Sequence, residues 1–115
     1  MNRQEIFDYI KETYGTEPDY PWNDCNAVLR HKKNNKWYGV VLEVSRKKLG
    51  LEEDVLTDVL NVKCDPVLTG VLCEQAGYFP AYHMNKEKWI SILLDGTVAQ
   101  DNIRNLIDMS YELTK

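Results

Sequence analysis

The stretch Ala27-Val28-Leu29-Arg30-His31-Lys32-Lys33-Asn34-Asn35-Lys36-Trp37-Tyr38-Gly39-Val40-Val41-Leu42-Glu43-Val44 reads as two strands joined by a tight turn. Asn tolerates positive φ, which tight hairpin turns require, so Asn34-Asn35 marks the turn. The strands are then Ala27 to Lys33 and Lys36 to Val44. Successive side chains of a strand point to opposite faces. Tyr38, Val40, Leu42 and Val44 therefore share one face, expected to be the core face. Trp37, Val41 and Glu43 turn the other way, with Gly39 between them.

A hairpin means an antiparallel sheet, and the flanking sequence supplies its cover. Upstream, Ile6, Phe7, Ile10 and Tyr14 fall at helical spacing, with Asp8, Lys11 and Glu12 on other faces. Gly15 follows as a stop, so a helix is expected from about Arg3 to Tyr14. Thr16 to Asn26 is rich in Pro and Asp, lacks a period and reads as a loop carrying Tyr20 and Trp22. Downstream, Asp54 to Lys63 is a third strand, with Leu56, Leu60 and Val62 on one face. Asp65-Pro66 starts a helix, because Asp caps and Pro fits the first turn. Its expected inner face is Leu68, Val71, Leu72 and Gln75, and Gly77 is the expected terminator. Tyr78 to Met84 is a short strand, Asn85 to Lys88 a turn, and Trp89 to Leu94 a strand broken by Asp95-Gly96. Thr97 is the expected cap of a last helix whose buried stripe is Ile103, Leu106, Ile107, Ser110 and Tyr111. The order α-β-β-β-α-β-β-α predicts an α+β two-layer sandwich, an antiparallel sheet with helices on one face.

Residues 1–115 suit one domain with one real core. A hydrophobic fraction of 43% with 28% charged residues is that of a soluble globular chain, expected to act as a monomer rather than an obligate oligomer. No apolar run approaches the ~18 residues of a membrane span, and Met1 to Glu5 has no apolar signal core. Cys25, Cys64 and Cys73 are odd in number and widely spaced, which suits reduced thiols in a cytoplasm.

The net charge of −4 argues against a protein that coats nucleic acid nonspecifically. The distribution is uneven, however. Arg30, Lys32, Lys33, Lys36, Arg46, Lys47 and Lys48 are opposed between them only by Glu43. This basic stretch is either a solvated sheet edge, which lysine protects from aggregation, or a wing that lays cations along phosphates. Trp22, Trp37 and Trp89 are anchors or stacking faces, and Trp22 is the one expected to be exposed. With His83 near a strand end, Trp22 and Trp89 form a candidate recognition surface.

No phosphate-loop, dinucleotide, zinc-protease, nucleophile-elbow or calcium-loop motif occurs, so no cofactor and no metal are expected. His31 and His83 alone do not make a metal site, and a Cys25–His31 pair lacks an activating third group. Asp95 before Gly96 reads as a turn former rather than an acid catalyst. An enzyme would need His83, Tyr82, Asn85 and Lys86 to converge on a cleft.

Several motifs together resemble the MmcQ/YjbR family of small bacterial proteins. They are Lys36-Trp37-Tyr38, Leu60-Asn61-Val62-Lys63-Cys64-Asp65-Pro66, Pro80-Ala81-Tyr82-His83-Met84-Asn85-Lys86 with Trp89, and Leu94-Asp95-Gly96. Leu29-Arg30-His31 and Lys48-Leu49-Gly50-Leu51 fit as well. Lys88 stands where the family carries His before Trp, so no imidazole role transfers to that position. The resemblance implies an α-β(3)-α-β(2)-α architecture with a topology similar to secretion chaperones. It also implies DNA binding through a double wing, without catalytic residues. On that expectation Arg30, Lys32, Lys33 and Lys36 form one wing, and Arg46, Lys47 and Lys48 add charge. Asn85 and Lys86 form the second wing. The alternative is a protein-interaction or chaperone-like adaptor that binds a peptide on the open sheet face or the Trp22 loop.

Overall fold

In the computed structural model, which describes all residues Met1–Lys115, helix α1 spans Arg3–Tyr14, as its apolar spacing predicts. Asn2 and Glu5 form a reciprocal capping box, and Gly15 closes the helix at φ 68°. The chain continues through β1 (Ala27–Arg30), β2 (Trp37–Ser45), a 3-10 turn (Arg46–Leu49) and β3 (Leu56–Lys63). Then come α2 (Pro66–Leu72), β4 (Tyr78–Pro80), β5 (Trp89–Leu93) and α3 (Gln100–Leu113). The five strands form one antiparallel sheet in the order β1-β2-β3-β5-β4. The α-β(3)-α-β(2)-α order and the α+β class are as expected.

The larger core lies between the sheet and the helices. Ile6, Phe7 and Ile10 of α1 meet Ile103, Leu106 and Ile107 of α3 over Val41, Leu60, Val62, Ile90 and Ile92. Leu68 and Leu72 pack α2 against the same cluster. The opposite face carries a smaller cluster of Val44, Val59 and Leu93, covered by Leu42, Leu49, Leu51, Phe79 and Tyr82.

That second cluster corrects the expected face of β2. Tyr38 and Val41 face the helices, whereas Leu42 and Val44 face away from them. The cause is an irregular rung. Leu29 pairs with Gly39 but Arg30 pairs with Trp37, so Tyr38 is the extra residue and the alternation reverses there. Strand β1 also stops at Arg30 rather than Lys33. His31 N donates to the Lys36 carbonyl and Asn35, at φ 61°, closes the turn beneath it.

Other boundaries also differ. Strand β3 starts at Leu56, which is exposed, and not at Asp54. Helix α2 ends at Leu72 with Val71 exposed, so neither Val71 nor Gln75 is on an inner face. Gly77 does not end that helix. It turns the chain into β4 at φ 92°, where a Cβ would lie 2.6 Å from Val98 Cγ2. Strand β4 covers only Tyr78–Pro80, because the next residues leave the ladder for a loop pinned by buried side chains. Strand β5 stops at Leu93. Thr97 does not cap α3; it donates to Asp95 in the preceding turn, and Ala99 is the cap position.

Buried polar groups tie α3 to the sheet. Lys63 N donates to Ser110 Oγ at 2.8 Å, and Ser110 Oγ donates to the Tyr38 carbonyl at 2.6 Å. The side chain thus fills the rung missing where β2 and β3 part beyond the Gly39–Val62 pair. Thr114 Oγ1 lies 2.7 Å from His31 Nε2, whose ring packs on Tyr38 and Tyr111. Burial lowers the His31 pKa, and the charges of Lys115 and Lys36 lower it further. The unfolded chain therefore takes up this proton first as pH falls. Stability linked to His31 is full above the unfolded value of about 6.5 and declines below it, by at most ~1.4 kcal/mol per pH unit. Thermal melts between about pH 7.5 and 5 should show this slope in the wild type and lose it in His31→Gln.

Candidate nucleic-acid interface

The register decides which turns are neighbours. Strand β2 begins at the β1–β2 turn, and β3 runs back towards it to end at Lys63. Trp89 pairs with Lys63, so β5 begins at this same end. The β1–β2 turn and the β4–β5 loop are therefore side by side. The first carries Lys32, Lys33 and Lys36, all exposed, and the second carries Asn85, Lys86 and Lys88, also exposed. Lys63 closes β3 between them, and Lys115 follows α3 beside Thr114. These seven lysines are half of the chain's 14 cationic residues. A concavity of about 380 Å³ at this end is lined by Lys36, Trp37, Lys63, Trp89, Leu113 and Thr114.

Local chemistry shapes both turns. Asn34 Oδ1 accepts from Lys36 N, folding the first turn on itself. In the second, the Asn85 carbonyl accepts from Trp89 N and its side chain accepts from Glu87 N. Asn85 is thus the closure of its turn, with its acceptor atoms already engaged. Lys86 Nζ donates to the Ala81 carbonyl at 2.8 Å, which holds its ammonium near the loop.

The sequence-selected cations do not all gather here. Arg46, Lys47 and Lys48 follow the far end of β2, roughly 26 Å from Trp37 at ~3.3 Å per residue. Arg46 bonds Asp95 at 3.2 Å and lies 3.6 Å from Glu53. Burial alone would raise the Asp95 pKa, but hydrogen bonds from Thr97 and Arg46 outweigh it and lower it. Arg30 pairs with Asp19 at 2.9 Å and lies 5.4 Å over the Trp37 ring. Both arginines are therefore partly neutralised. Lys32, Lys33, Lys36, Asn85 and Lys86 come together, whereas Arg46, Lys47 and Lys48 form a separate group. Lys63, Lys88 and Lys115 were missed. Their placement depends on the pairing of β3 with β5 and on where α3 ends, neither of which spacing reveals.

The aromatic candidates divide as well. Trp22, 48% exposed, and His83 line a cavity of about 320 Å³ with Asn26, Trp37, Val40, Leu42 and Met84. Trp22 stands edge-on to Trp37, with ring centroids 6.0 Å apart. Trp89 is not part of this cavity; it lines the lysine concavity instead. Trp37 lines both. A buried network positions the cavity wall. Asn61 Nδ2 donates to the Tyr82 carbonyl, Tyr82 N donates to Ser91 Oγ, and Ser91 Oγ donates to Asn61 Oδ1. The next residue, His83, takes a left-handed φ of 59°, an uncommon conformation that the pinned loop imposes.

Of Tyr82, His83, Asn85 and Lys86, only His83 lines this cavity. No group of three or more His, Cys, Asp or Glu side chains stands at metal-binding distances. Cys25, Cys64 and Cys73 are free thiols, and Cys25 is exposed. His31 is buried and bonded to Thr114, so it does not serve Cys25.

A family model described as YjbR matches residues 11–113. The chain belongs to the YjbR family. It is 46% identical over 117 residues to the uncharacterised protein YyaQ of Bacillus subtilis, spanning all of this chain and 99% of that one. The uncharacterised protein YjbR of Escherichia coli K12 is 27% identical over 81 residues, 69% of each chain. A Pseudomonas syringae protein solved by crystallography superposes with a TM-score of 0.96 at 43% identity, over the full length of both chains. A Deinococcus radiodurans crystal structure shares the fold, with a TM-score of 0.74 at 23% identity over 97% of this chain and 77% of that one. The YjbR fold is thus the frame that brings the two lysine-bearing turns together. No helix is long and apolar enough to cross a membrane.

Proposed function

We propose that this YjbR protein is a non-catalytic DNA-binding protein whose two wings are the β1–β2 turn and the β4–β5 loop. The observation that supports it is the gathering of Lys32, Lys33, Lys36, Lys63, Lys86 and Lys88 at one end of an otherwise acidic molecule. Glu87 separates Lys86 from Lys88, but the acidic excess of the remaining chain orients this end towards the phosphate backbone. Arg46, Lys47 and Lys48, at the far end beside Glu52, Glu53 and Asp54, take no part.

Titration of labelled DNA at increasing salt tests the proposal. With four to six phosphate contacts, affinity should fall about 10²- to 10³-fold between roughly 50 and 200 mM salt. An affinity indifferent to salt would exclude a phosphate-reading surface.

A protein-interaction role is the second reading, favoured by Val67 and Val71, exposed one turn apart on α2 at 78% and 51%. A nuclease-resistant complex lost on Val67→Glu would support it, and an unaltered complex would exclude that face.

A further inference from the structure

We infer that the cavity lined by Trp22, Trp37, Val40, Leu42 and Met84 holds an unpaired base of single-stranded DNA, whose phosphates lie on the adjoining lysines. This rests on the lysine-rich end being the DNA surface, and it narrows the ligand from DNA in general to an unpaired strand.

Three observations converge. First, Trp37 is a shared wall, facing the Lys36–Lys63 concavity and also the Trp22 cavity. A ligand spanning both must be anionic on one side and planar or apolar on the other, as a nucleotide unit is. Second, each wing carries a lysine close in sequence to a residue that lines the Trp22 cavity. Lys36 and Trp37 are consecutive, and Met84 lies two residues before Lys86, so one strand passing these two segments meets a cation and an apolar wall at each. Third, the cavity is mostly apolar and, at about 320 Å³, is near the lower limit of ~300 Å³ for ligand pockets, room for one ring system. Val40, Leu42 and Met84 suit the methyl-bearing face of thymine.

Paired bases present no free ring face to such a cavity, so the strand must be open. Aromatic stacking is worth ~1–3 kcal/mol per base and tolerates sequence variation, which matches a site with few free polar groups. Asn26 already accepts from Glu43 N and donates to Asp24, leaving little capacity for reading a base edge.

The test compares oligothymidylate of about 12 nucleotides with its duplex and with oligouridylate, at one salt concentration and with intrinsic tryptophan fluorescence as a second readout. Oligothymidylate should bind at least about tenfold more tightly than the duplex and quench the fluorescence. Trp22→Ala should weaken oligothymidylate about tenfold and leave duplex binding unchanged, and Trp22→Phe should restore most of the loss. Trp22 belongs to neither core cluster, so the variant should fold. Duplex binding as tight as single-strand binding, or indifference to Trp22→Ala, overturns the base site while leaving the lysine surface standing. Equal binding of oligouridylate overturns the choice of DNA. Failure of every strand to bind overturns the DNA-binding reading as well.

Discussion

Ser110→Ala should lower the folding stability by about 2–4 kcal/mol, from two buried backbone groups left without partners. The Ser110 hydroxyl accepts from Lys63 N and donates to the Tyr38 carbonyl, and the residue is fully buried on α3. Those two backbone groups would otherwise be the next rung between β2 and β3, but the extra residue at Tyr38 parts the strands there. An unpaired buried donor or acceptor costs more than a paired one contributes, so truncation leaves a penalty at both atoms. Against a typical total stability of 5–15 kcal/mol the loss is large. Urea denaturation would measure it as a fall in midpoint at constant slope. Asn105→Ala, an exposed change on the same helix, should stay within about 0.5 kcal/mol of the wild type. A Ser110→Ala cost under roughly 1 kcal/mol would mean that the strands close the rung without the hydroxyl.

Reversing Lys32 and Lys33 together to Glu should weaken DNA binding about a hundredfold, roughly 1.4 kcal/mol for each tenfold lost per lysine. Both side chains are exposed and neither makes an ion pair, so folding should be spared. The salt dependence should also shallow by about 1.8 in its logarithmic slope, the share of two phosphate contacts. Lys47→Glu with Lys48→Glu makes the same change in net charge at the other end of the sheet. That variant should bind within about threefold of the wild type, because screening limits its reach to ~10 Å. Equal losses from the two pairs would show that net charge, not the wing, sets affinity. Isothermal titration or fluorescence anisotropy on both variants decides it.

Local signals gave the elements, and long-range pairing gave the site. Helix α1 was legible to the residue because Ile6, Phe7, Ile10 and Gly15 state both its face and its end. Asp65-Pro66 announced α2, and Ile103, Leu106, Ile107 and Ser110 announced the inner face of α3. The face of β2 was not legible. Both faces of the sheet are buried along much of its length, so an apolar run carries no phase, and a single extra residue at Tyr38 reverses the alternation. The lysine surface was half legible. Lys32, Lys33 and Lys36 are adjacent in sequence, but their proximity to Lys86 is a property of the β3–β5 pairing. The density of charge between Arg30 and Lys48 marked a basic stretch whose two groups, at opposite ends of the second strand, need not touch. Strand β2 does hold them apart, and what sequence did not show is that Arg30 and Arg46 are bound to carboxylates within the fold.

The two outer strands bear on how this chain meets other chains. Strand β4 has three residues and finishes with Pro80, which offers no amide hydrogen. Strand β1 has four, and Val28 exchanges both of its backbone hydrogen bonds with Asp19. Neither rim presents a long row of free donors and acceptors. The sheet is therefore closed to extension by a borrowed strand, the route by which many domains capture extended peptides and by which exposed sheets polymerise. A strand added at one rim would have to displace Asp19 from Val28, and at the other would have to pair past Pro80.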